Sequence, residues 1–94
     1  MRGPAHPVVR TTDGLAQIDG VTPRILRGFH VDAGAAAEVQ IRDGAVGGAL
    51  IASSRLGAAG DDGPFWFGDA GIATANGIWV EVVSGTPTVT VYVS

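Results

Sequence analysis

Six residues near the C-terminus constrain the fold of this chain more than any other feature: Val89, Val91 and Val93 alternate with Thr88, Thr90 and Tyr92. Successive side chains of a β-strand point to opposite faces, so the run sets three valines on one face and polar groups on the other. A helix would scatter those valines around its circumference. The same period recurs where Ala37, Val39 and Ile41 oppose Glu38, Gln40 and Arg42. Val and Ile total 18 residues against four Leu, with seven Thr beside them, which is the β-branched bias of strand-forming sequence. The one alanine-rich stretch, residues 33–38, contains Gly34 and is too short to nucleate a helix alone, so it reads as a turn between strands.

Further strands are expected at residues 8–12, 16–18, 49–56, 65–67, 72–74 and 78–83, and around Ile25, Phe29 and Val31, which share a face with Arg27. Between these runs stand Asp13-Gly14, Asp19-Gly20, Asp43-Gly44, Asp62-Gly63 and Asn76-Gly77, pairs that tolerate the positive φ of tight turns. Short strands punctuated this often predict an all-β chain: a single small β-sandwich, jelly-roll-like, over residues 13–94. Residues 1–12 read as an extended N-terminal arm, because Pro4 and Pro7 keep it from a sheet interior. Residues 57–63 are the longest flexible tract. The predicted core is Val39, Ile41, Ile78, Val80, Val82, Val89, Val91 and Val93.

Ninety-four residues make one domain, and the absence of cysteine removes both disulfides and thiolate zinc sites as sources of stability. Fourteen of the hydrophobic residues are alanine, which leaves a thin core. Small scaffolds without staples commonly gain the missing burial by association, so a homo-oligomer is expected. Six Arg and no Lys stand against seven Asp and two Glu, for a net charge of -3. A nucleic-acid partner needs a basic stripe that this chain lacks. Its apolar runs are too short and interrupted for a membrane span, and Met-Arg-Gly-Pro-Ala-His-Pro has no apolar segment of a secretory signal.

Motifs for chemistry are sparse. His30 and Asp32 have the spacing that places both on one face of a strand, yet two groups fall short of a metal site, and His6 lies in the arm. Asp61, Asp62 and Asp69 flank a glycine-rich loop without the spacing or closing Glu of a calcium loop. Residues 44–48 are glycine-rich but lack the following Lys and Ser or Thr of a phosphate loop. Ser53, Ser54, Ser84 and Ser94 sit in no nucleophile motif. The expectation is a protein that is not an enzyme and carries no metal or cofactor. Phe65-Trp66-Phe67, with Trp79 and Tyr92, can serve as core, as a subunit interface or as a sugar-stacking platform.

From Ile25 onward the order of segments is distinctive: Ile25-Leu26-Arg27-Gly28-Phe29-His30-Val31, Val39-Gln40-Ile41-Arg42-Asp43-Gly44, residues 48–51, Gly71-Ile72, Asn76-Gly77-Ile78-Trp79-Val80-Glu81 and residues 87–93. This order resembles small β-sandwich accessory proteins of tailed-bacteriophage virions, the kind that decorate or cement capsids. The resemblance implies a non-enzymatic virion component, assembled in the host cytoplasm, trimeric, and bound to the major capsid protein or another virion protein partly through extended segments. Arg2, Pro4, Pro7, Val8, Val9 and Arg10 of the arm are the expected attachment residues, and Phe65, Trp66 and Phe67 the next candidates. The alternative is a carbohydrate-binding head-fibre or tail module of a phage.

Overall fold

A computed structural model describes residues 5–94. Nine strands follow one another: β1 (His6–Arg10), β2 (Gly14–Leu15), β3 (Ile25–Ala33), β4 (Ala37–Asp43), β5 (Leu50–Leu56), β6 (Gly60–Trp66), β7 (Ile72–Ala73), β8 (Ile78–Ser84) and β9 (Thr88–Val93). All pair antiparallel. The first sheet has the order β1-β9-β3-β6, with β7 on the same side of β3 as β6, and the second has the order β2-β8-β4-β5. With β7 set aside, the first strand pairs the last, the second the next to last, and so on inward to β4 with β5. Rolling that ribbon lays β9 against β3 and β8 against β4, which is the jelly-roll arrangement of a β-sandwich.

Alternation decides which side chains meet between the sheets. Val89, Val91 and Val93 face Val39, Ile41, Ile78 and Val80, all fully buried, as the sequence predicts. Val82 is half-buried instead, beside the irregularity where β8 gains a residue against β4. Phe29 and Val31 lie inside, but their expected companion Ile25 does not. Arg27 is an extra residue in β3 between the pairs Leu26 with Val93 and Gly28 with Tyr92. This bulge reverses the alternation, so Leu26 enters the core.

Two expected segments change character. His6–Arg10 of the expected arm is a sheet strand, paired along its length with β9 from His6 opposite Val93 to Arg10 opposite Val89. Its position at the edge explains how Pro7 is accommodated, since an edge strand need not donate on both sides. Residues 57–63 are not one flexible tract: 57–59 cross between the sheets, and β6 starts at Gly60. Asp62-Gly63-Pro64, read as a turn, lies within β6, where the Gly63-Pro64 bond is cis and an additional residue separates the pairs Val31 with Asp62 and Phe29 with Phe65. The strand expected at residues 16–18 gives way to β2 and an isolated bridge between Ile18 and Val21, with the Ala16 amide donating to the Ile78 carbonyl at 2.9 Å.

Candidate functional site

β1 and β6 are the two edges of the first sheet, so both segments expected to bind a partner belong to the same layer. On its outer face, Pro7, Tyr92, Gly28 and Trp66 form one row through consecutive pairs from β1 across β9 and β3 to β6. Val9, Thr90 and His30 form the adjacent row, and Thr88, Asp32 and Asp61 the next. Trp66 is 59% exposed, as is Val9. The exposed indole rules out a core role for Trp66.

Gly28 is the reason the aromatic row is continuous. A Cβ built there would lie 2.6 Å from Cε3 of Trp66 and 2.4 Å from the Phe65 carbonyl oxygen, so the indole occupies the space above the glycine backbone. Strands two places apart in a sheet are separated by roughly 9.5 Å. The centroids of Trp66 and Tyr92 are nonetheless 4.6 Å apart, with ring planes at 42°, because both rings lean over Gly28. They form a shallow aromatic floor. Beside it, Nε2 of His30 lies 3.4 Å from Oδ1 of Asp61, whose carboxylate is largely in solvent. The β6 bulge brings this about: it lets Asp61 and Trp66 point outward together while Asp62 and Phe65 point inward.

The inward residues build a second feature at the side where the sandwich edges β5 and β6 face each other. Phe29, Ala52, Ser53, Phe65 and Phe67 line a cleft of about 280 Å³. Phe29 lies 5.1 Å from Phe65 and 6.0 Å from Phe67 between ring centroids. Phe65 keeps 40% of its surface exposed at the mouth. One end of this side is closed by Ser54, whose hydroxyl donates to the Asp62 carboxylate. The opposite side of the sandwich is tied more fully: Arg10 donates to the Thr12 and Asp13 carbonyls at 3.3 and 2.7 Å, and the Val82 amide donates to Asp13 Oδ1 at 2.8 Å.

The nine expected attachment residues therefore separate. Pro7, Val9 and Trp66 come together on the outer face, while Val8 packs half-buried against the core and Phe65 and Phe67 line the cleft. Arg10 is committed to its own turn, in space that a side chain at Gly14 would claim. Arg2 and Pro4 lie outside the described residues. Tyr92 is the functional neighbour of Trp66; Trp79 belongs to the second sheet, opposite Arg42 and Leu15, and is no part of this floor.

Asp61 and Asp62 are strand residues on opposite faces, so their carboxylates do not point to one place. His30 and Asp32 do share a face, and the partner of His30 is Asp61. Among the described residues no three His, Cys, Asp or Glu groups are placed to hold a metal ion. Asp43 is structural: Oδ2 and Oδ1 accept from the Ala75 and Asn76 amides at 2.9 and 2.8 Å, fastening the loop before β8. The outer face of the second sheet mixes apolar and charged groups: Leu15, Trp79, Arg42 and Leu50 form one row, with Arg42 bonded to Gln40 at 2.6 Å and its Nε 3.4 Å from Glu81. No family model, no curated protein and no solved structure matches this chain.

Proposed function

We propose that this chain is a non-enzymatic accessory subunit of a tailed-phage virion, decorating or cementing the capsid by binding the major capsid protein. The observation that supports an attachment role is the cleft between β5 and β6. It is apolar, open to solvent at Phe65, and flanked by the two strands that end the second and first sheets on that side. A sheet edge carries backbone donors and acceptors for an added strand, and the phenylalanine-lined slot takes an apolar side chain of that strand. An extended segment of a shell protein satisfies both requirements. The resemblance of the segment order from Ile25 onward to virion accessory proteins is what favours the major capsid protein as that partner.

Co-sedimentation with capsids lacking this subunit tests the reading. Phe65→Ser removes the side chain at the mouth, and Ala52→Arg places a bulky cation in the lining, since Ala52 pairs with Ile41 on the inward face of β5. Each is expected to weaken particle binding by at least about tenfold, a loss of roughly 1.4 kcal/mol. Full binding by the folded Ala52→Arg protein would assign attachment to another surface.

A further inference from the structure

We propose that the outer face of the first sheet is a binding site for neutral saccharides, independent of the cleft through which the subunit attaches. Trp66 and Tyr92 supply the floor, and His30, Asp61, Asp32 and Thr90 supply the polar groups beside it. An indole that is 59% exposed yet laid over Gly28 presents a fixed apolar plane to solvent. A pyranose ring has a complementary surface, with several C–H groups on one face and hydroxyls around its rim. Stacking covers the apolar plane, and the rim then meets the next row, His30 and Thr90, with Asp32 and Asp61 behind it for a neighbouring sugar unit.

Those rows have the chemistry for hydroxyls. Asp61 and Asp32 are acceptors, Thr90 both donates and accepts, and the His30 imidazole is a donor or an acceptor according to tautomer. Asp32 and Asp61 are directly opposite each other across β3 and β6. Two carboxylates beside the floor, on a chain of net charge -3, disfavour acidic sugars and select neutral ones. The same carboxylates make the face a poor seat for a second copy, because burial would strip their water. The face is flat, so it suits a sugar unit along or at the end of a chain, held weakly.

The test uses the 15N-labelled full chain and the two indole N–H signals, assigned by Trp66→Phe. Maltotetraose, cellotetraose and lactose serve as neutral probes, and sialyllactose as the anionic comparison. At least one neutral probe is expected to shift the Trp66 signal saturably and leave Trp79 in place, with sialyllactose weaker. Asp61→Asn is expected to weaken that binding by at least about tenfold, and Trp66→Ala to abolish it with signals away from Gly28 and Tyr92 unchanged. No movement of the Trp66 signal with any neutral probe at concentrations on the order of tens of millimolar overturns the proposal. Binding that survives Trp66→Ala, or a Trp66 signal that moves with protein concentration alone, does so too; the latter would make the face a contact between copies. Trp66→Ala is expected to keep its particle binding, which separates this site from the attachment cleft.

Discussion

Gly28 illustrates how one missing side chain shapes a surface. Its neighbours across the sheet are Trp66 and Tyr92, and only the absence of a Cβ lets their rings meet. Gly28→Ala is expected to destabilise the chain by about 1–3 kcal/mol, since the new methyl meets a backbone carbonyl that cannot move without β6. Loss of the coupled Trp and Tyr signal in near-ultraviolet circular dichroism would accompany it, and an unchanged spectrum would show that the rings meet without the glycine. Val91 lies at the other extreme, fully buried in a central strand between β1 and β3. Val91→Ala removes buried methyl groups and is expected to cost about 1–3 kcal/mol in chemical denaturation. Trp66→Ala, on an exposed face, is expected to stay within about 1 kcal/mol of the parent chain.

Among the strands, β1 contributes more than an extended arm would. Its five residues pair with β9, and Val8 packs against the core, so removing residues 1–10 leaves β9 as an exposed edge of buried valines. The deletion is expected to destabilise by on the order of 2 kcal/mol or more and to lower the melting temperature by about 4–8 °C per kcal/mol. A melting curve that coincides with that of the full chain would mean that the β1 pairing adds nothing to the fold. What the sequence made legible here was alternation: β4 and β9 are read correctly, and so are the glycine-bearing turns after Asp43 and Asn76. What it concealed were additions to that alternation. Nothing local marks Arg27 as a bulge, because the choice depends on whether Leu26 or Ile25 better fills the space beside Val93, a tertiary matter. The bulge at Gly63-Pro64 hid the candidate site in the same way. Trp66 was visible as an aromatic opposed to Phe65 and Phe67, but its neighbours Tyr92, His30 and Asp61 come from three strands, and Asp61 reaches it only through that bulge. Proline at position 7 pointed to a free arm, whereas a sheet edge tolerates it equally well.

For the whole molecule the balance between buried and exposed apolar residues sets the last expectation. Among the described residues thirteen apolar residues, proline aside, are buried, three of them alanine, and seven large ones are exposed: Val9, Val21, Val46, Leu50, Phe65, Trp66 and Val83. Without a disulfide, a chain of this size has few other sources of stability among its own side chains. The exposed residues are distributed over both sheets, the β5 and β6 side and two loops, so association need not consume the aromatic floor or the cleft. We propose a homo-oligomer, and specifically a trimer. Light scattering coupled to gel filtration should then give about three times the 9.5 kDa chain mass. Because the assembled form is favoured by mass action, its melting temperature should rise with protein concentration. A monodisperse monomer whose melting temperature is the same at every concentration would show that the two sheets suffice for one copy. In that case contacts with the proposed capsid partner, made one subunit at a time, would be the remaining source of association.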